Sequence, residues 1–178
     1  MKSCRGYSLP ELLVVVGIIF IVLIAVFSYQ IIAGKHWDTG TRFMDLSSGL
    51  RYALTVMSDE ISQTSVSHIE EVPADGNWYP SISIKVPHDN DGDGTPFQAG
   101  TSNLEWSTPI RFYKTEDGKV VRGQDSQTRT LVTNITYLGF RRTSLEPNII
   151  EISITGQKST KFQGSISFNL KDRVCLRN

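Results

Sequence analysis

The stretch His88-Asp89-Asn90-Asp91-Gly92-Asp93-Gly94-Thr95 gathers side chains suited to holding a metal. Asp89, Asp91 and Asp93 recur at every second position, and Gly94 permits a sharp turn. Hard carboxylate oxygens on a tight turn suit Ca²⁺ better than a softer metal, and the pattern matches the first half of a D-x-D-x-D-G calcium loop. The second half departs from it. Pro96 replaces the usual aliphatic residue, Gly100 replaces the bidentate glutamate, and no helices are expected to flank the turn. Glu105 could supply a later ligand. Two readings stand: a weak calcium site, with a dissociation constant on the order of 10⁻⁴–10⁻³ M, and a solvated acidic turn.

Other reactive side chains form no catalytic constellation. His36, His68 and His88 are scattered, and there is no H-E-x-x-H, G-x-S-x-G or phosphate-binding loop. Two cysteines, Cys4 and Cys175, are too few for a zinc cluster. Glu70 and Glu71 with His68 lie in a polar stretch that reads as a solvated face rather than an acid–base pair. Arg141-Arg142 is a weak basic patch. With 18 basic and 18 acidic side chains the chain has no net charge, so no specific nucleic-acid partner is predicted. Asn134-Ile135-Thr136 is a glycosylation triplet of the kind chance supplies. The expectation is a protein that is not an enzyme.

What positions such side chains begins at the N-terminus. Twenty of the 25 positions Leu9–Ala33 are apolar, against only about one-third of the other residues. Leu12–Phe27 contains no charged or strongly polar side chain, and as a helix Leu12–Ala33 would span roughly 33 Å, enough to cross a bilayer core. A core helix is a poor reading, because nothing else in the chain is apolar enough to surround it. The flanks weigh against a secretory signal as well. The basic start Met1-Lys2-Ser3-Cys4-Arg5-Gly6 fits one, but no A-x-A-like site closes the apolar run, and the small residue Gly6 precedes it. Lys2 and Arg5 favour a cytoplasmic N-terminus. Glu11 is the notable side chain: an ionised carboxylate at the start of a lipid-embedded helix is costly unless the helix N-terminus or a positive partner offsets it.

The run Arg5-Gly6-Tyr7-Ser8-Leu9-Pro10-Glu11-Leu12-Leu13-Val14-Val15-Val16-Gly17-Ile18-Ile19 resembles the prepilin signature of type IV pilins and type II secretion pseudopilins. That signature is a short basic leader ending in Gly, an aromatic residue, three apolar or small residues, Glu, then about twenty apolar residues. The resemblance implies cleavage by a prepilin peptidase between Gly6 and Tyr7, and methylation of the new amine on Tyr7. Tyr7 departs mildly from the usual Phe. Pro10 is tolerated in a first helical turn, which has no N–H bond to lose. The resemblance also implies that Glu11 docks against the freed amine of a neighbouring subunit, setting register more than stability. Its implied partners are other pilin or pseudopilin subunits, the inner-membrane assembly platform and inner-membrane lipid.

Cleavage would remove Lys2, Arg5 and Cys4, leaving 16 basic and 18 acidic side chains, a charge of −2, and Cys175 as the remaining thiol. An internal disulfide is then not expected, and Cys175 reads as a small buried hydrophobe near the last strand.

The remaining pattern predicts an α+β protein, with a long N-terminal helix packed against an antiparallel β-sheet head. By the resemblance, residues 1–6 would be the leader and 7–33 the membrane and polymerisation helix. Residues 34–66 form the helix's amphipathic half and 67–178 a β-rich periplasmic head. Gly34–Thr41 is where the helix is expected to loosen. Phe43, Leu46, Leu50, Leu54, Met57 and Ile61 follow at spacings of 3 and 4, one helical face. Ser67–Pro80 reads as a loop. Five or six strands follow: Ile82–Val86, Pro109–Lys114 and Lys119–Arg122 about a Glu116-Asp117-Gly118 turn, Thr130–Phe140, Ile149–Thr155 and Lys161–Leu170. Leu50–Ile61 and the ending Val174–Asn178 are similar to W-type minor pilins and J-type minor pseudopilins, implying a minor subunit of a pilus or pseudopilus. The alternative is a membrane-anchored periplasmic calcium-dependent binding module that does not polymerise.

Overall fold

A 55-residue helix, α1 (Leu9–Gln63), carries the molecule and is about 83 Å long. The computed structural model describes residues 9–98, 101–162 and 164–177. The apolar first half of α1 buries none of its surface against the rest of the chain. The second half buries Leu46, Leu50, Ala53, Leu54, Met57 and Ile61, the stripe read from the spacing with Ala53 added. Phe43, at the start of the stripe, stays half-exposed and meets Phe168 edge-on at 5.1 Å between ring centres.

The expected loosening at Gly34–Thr41 does not occur; α1 runs straight through it. Two glycines in a helix cost roughly 1 kcal/mol each relative to alanine, but this segment is held from outside. Asp38 pairs with Arg42 one turn on, at 2.8 Å, and also accepts the backbone N–H of Lys161 at 3.0 Å. Arg42 reaches the Ser159 carbonyl at 3.0 Å. The head therefore braces the segment where local propensity is weakest.

After α1 a short 3₁₀ turn (Val66–His68) leads into nine strands: β1 (Ile69–Glu70), β2 (Trp78–Tyr79), β3 (Ser81–Ile84), β4 (Ile110–Lys114), β5 (Val120–Gln124), β6 (Gln127–Val132), β7 (Ile135–Arg142), β8 (Ile149–Ser159) and β9 (Ser165–Cys175). They form two antiparallel sheets, ordered β1-β3-β4-β5-β6 and β2-β7-β8-β9. Helix α1 packs on β8 and β9 of the second sheet and on β6 of the first. One apolar core joins all three, with Phe112, Phe140, Ile82, Ile110, Ile152 and Ile154 sealed beneath the stripe. Gly156 of β8 lies under the helix, and a Cβ there would come within 2.7 Å of Leu46 Cδ1. Its missing side chain sets how closely helix and sheet approach.

Several sequence boundaries are corrected. Among the described residues nine strands replace the expected five or six, in part because Ser67–Pro80 contains the two-residue strands β1 and β2. Thr130–Phe140 is not one strand: Asn134, at φ 65°, turns the chain out of the first sheet and into the second. The last strand is Ser165–Cys175, since Thr160 and Gly164 close a turn through a 2.7 Å backbone hydrogen bond. That shift decides Cys175. Val174 and Leu176 point into the core, so Cys175 between them faces outward and is exposed. The Glu116-Asp117-Gly118 hairpin joins β4 and β5 as expected, with Gly118 at φ 71°.

Candidate functional site

Glu11 stands in the first turn of α1, beside Pro10, with its side chain on the helix surface. Gly6 and Tyr7 lie outside the described residues. Beyond Glu11 an apolar wall from Leu12 to Phe27 faces outward on all sides of the helix. The first polar break, Ser28, turns its hydroxyl back onto the Ile24 carbonyl at 2.8 Å, which satisfies it without water. By length and composition this segment can cross a membrane. Its chemistry is insertion into lipid or into a bundle of similar helices, with one carboxylate as the polar element.

The acidic loop is the second site. Asp89, Asp91 and Asp93 each place a carboxylate oxygen within 4.8 Å of the others. The loop is wound around its own backbone. Asp89 accepts the N–H groups of Gly92 and Gly94 at 2.7 and 2.8 Å, and Asp93 accepts the N–H and hydroxyl of Thr95, each at 2.8 Å. Glu105 accepts the N–H of Asn90 at 2.6 Å, and its own backbone carbonyl takes the N–H of His88. It is therefore brought to the loop but does not join the three-oxygen cluster. The carboxyls respond differently to this crowding. The Gly94 N–H, chief among several donors, lowers the Asp89 pKa. For Asp91 the Asp93 N–H pulls down, but partial desolvation and repulsion from Asp93 and Glu105 outweigh it, and the pKa rises. Three oxygens at this spacing fit a hard cation; they also fit an acidic turn whose hydrogen bonds are already made.

The other candidates fall into structural roles. Glu71 accepts the Ser81 hydroxyl and pairs with Arg111, while His68 stacks on Trp106 at 3.8 Å, so no acid–base pair forms. Arg141 is paired with Glu151 and lies 4.8 Å over the Trp78 ring. Arg142 turns to the opposite face. Two contacts escaped sequence reasoning because their partners are far apart in the chain. One is the Asp38–Lys161 brace; the other is Arg122 of β5, which grips both carboxylate oxygens of Glu60 on α1 at 2.8 and 3.0 Å.

Comparison with known proteins returned one family: the prokaryotic N-terminal methylation motif, matched over residues 1–27. No curated protein matched, and no solved structure matched. The motif implies processing by prepilin peptidase and assembly with other pilin subunits, and families of this kind are structural rather than catalytic. The methylation motif at residues 1–27, borne on a long apolar helix that packs against antiparallel sheets, fits the type IV pilin/pseudopilin superfamily.

Proposed function

We propose that the chain is a minor structural subunit of a type IV pilus or type II secretion pseudopilus. It is made as an inner-membrane precursor with a cytoplasmic N-terminus and a periplasmic head. Prepilin peptidase removes residues 1–6 between Gly6 and Tyr7 and methylates Tyr7, and an assembly platform then draws the subunit into a filament of related subunits. The observation that carries this reading is the matched motif at the head of a helix whose apolar window has no buried residue among the described residues. Such a wall is stable in a bilayer or among other helices and nowhere in water. Glu11 would then meet the Tyr7 amine of a neighbour, where a buried pair fixes axial register. Co-expression with the remaining filament subunits tests this: Glu11→Ala should leave the chain in the membrane fraction but reduce its incorporation at least tenfold. Incorporation at the wild-type level would remove Glu11 from the mechanism.

A second reading attaches to the Asp89–Asp93 loop. We read it as a low-affinity calcium site on the head, supported by the three carboxylate oxygens within 4.8 Å and by the raised pKa of Asp91, which a cation would reverse. The ion would tie the loop to Glu105 and stiffen the excursion between β3 and β4. This reading is compatible with a filament subunit or with a membrane-anchored binding module that does not polymerise.

A further inference from the structure

The β8–β9 turn meets α1 just past the end of its apolar run. Its position along the helix is fixed by three contacts: Lys161 N–H to Asp38 at 3.0 Å, Arg42 to the Ser159 carbonyl at 3.0 Å, and Lys158 Nζ to Asp45 at 3.3 Å. Asp38 lies five positions beyond Ala33, or about 7–8 Å along the helix. The headgroup layer on each side of a bilayer is about 5–7 Å thick. Side chains on a helix lean toward its N-terminus, so the Asp38 carboxylate, and the turn it holds, reach back toward that layer. With the apolar half of α1 in a membrane, the turn lies at headgroup height.

The surface there has the corresponding chemistry. Trp37 is 79% exposed on α1 and Phe162 is 56% exposed on the turn. Neither is covered by the head, and aromatic rings of this kind favour the membrane–water boundary. The turn and the adjoining stretch of α1 carry Lys35, Arg42, Lys158 and Lys161 against Asp38 and Asp45, with His36 adding charge when protonated. Arg42 pairs with Asp38 and Lys158 with Asp45, so the collar keeps an excess of two positive charges. Exposed aromatics within a basic collar, level with a membrane surface, match an anionic bilayer.

We propose that the β8–β9 turn and the Lys35–Trp37 segment of α1 together form a dock that rests the head on anionic lipid headgroups while α1 is in the bilayer. This inference depends on the reading of α1 as a membrane span. It gives the head a fixed orientation at the membrane, so that extraction must break lipid contacts as well as withdraw the helix. Trp37 and Phe162 supply the interfacial anchor. Lys35 and Lys161 supply the preference for anionic lipid, each worth about fivefold in the ratio of docked to undocked head.

The test uses the full chain carrying Cys4→Ser and Cys175→Ser, reconstituted in vesicles of phosphatidylglycerol with phosphatidylethanolamine, or of phosphatidylcholine alone. A nitroxide is placed at Ser165→Cys beside the turn. In a separate protein it is placed at Leu145→Cys, which is 93% exposed at the other end of β8, roughly 35 Å away. Collision rates with a water-soluble nickel chelate and with oxygen report depth. The label at 165 should be shielded from nickel several-fold more than that at 145 in anionic vesicles. Phosphatidylcholine, or Lys35→Ala with Lys161→Ala, should reduce the shielding. Chain that floats with vesicles while the two labels remain equally accessible would overturn the dock and leave the membrane span standing. Chain that fails to float would overturn both. Shielding that rises with protein-to-lipid ratio and ignores lipid charge would assign the surface to a second copy of the chain and overturn the proposal.

Discussion

Leu50→Ala tests whether the second half of α1 is part of the head's core or merely a stalk beneath it. Leu50 is 0% exposed and lies against Gly156, which has no side chain to swing into the space it leaves. Removing three carbons costs about 2.4 kcal/mol in transfer free energy, and the residual cavity adds about 24 cal/mol per Å³. Leucine-to-alanine changes of this kind span about 2.7–5 kcal/mol; the rigid floor at Gly156 places this one near 4 kcal/mol. For a cooperative unit of this size that lowers Tm by about 8–16 °C. The assay is thermal unfolding of the full chain in mild detergent, followed by near-ultraviolet circular dichroism. Ile19→Ala serves as control: Ile19 is on the apolar half and touches no part of the head, so its Tm should remain within about 2 °C of wild type. A Leu50→Ala loss below about 1 kcal/mol would refute the shared core, as would an equal loss at Ile19.

Gly118→Ala should cost about 2 kcal/mol in the same assay. Gly118 has φ 71°, and a Cβ there would lie 3.0 Å from the Ile135 carbonyl oxygen, a backbone atom that cannot swing aside. Asp38 predicts a pH effect. The Arg42 hydrogen bond, then the Lys161 N–H, hold its carboxyl below the usual aspartate value. Because the folded pKa is depressed, its stabilisation is present above about pH 4 and lost as pH falls through the lower folded value. Denaturant midpoints at about pH 5 and pH 3 should therefore differ more in wild type than in Asp38→Asn. Calorimetry with Ca²⁺ should show binding at 10⁻⁴–10⁻³ M, on the order set for extracellular sites, and Asp91→Asn should abolish it. An absence of heat in the wild type would leave the loop a solvated turn.

Much of the architecture was legible because it depends on local pattern. The apolar run, the stripe from Leu46 to Ile61 and the Gly118 hairpin each carry their signal within a dozen residues. What was missed depends on partners distant in sequence or on single-residue parity. Gly34 and Gly40 suggest a break, and the helix persists because Asp38 is held by Lys161, more than a hundred residues away. Asn134 sits within an apolar stretch that reads as one strand; its left-handed backbone hands the chain from one sheet to the other. Cys175 reads as buried until the strand's start is known, after which alternation from Val174 turns it outward. The N-terminal signature was readable because its pattern is linear: the motif lies within residues 1–27, and the proposed cleavage, methylation and docking positions all fall within Gly6–Glu11. The acidic loop was readable as a cluster; what the sequence did not show is that Glu105 is held at the Asn90 N–H and stays outside the three-oxygen cluster.

The central claim is that this chain is a processed filament subunit. It is tested most directly by the mass of the N-terminal peptide after expression with a prepilin peptidase. The account predicts a mature chain beginning at Tyr7 with a methylated amine, and the loss of that product in Gly6→Val. A chain that keeps Met1–Gly6 in the presence of active peptidase, or is cut elsewhere, would contradict it.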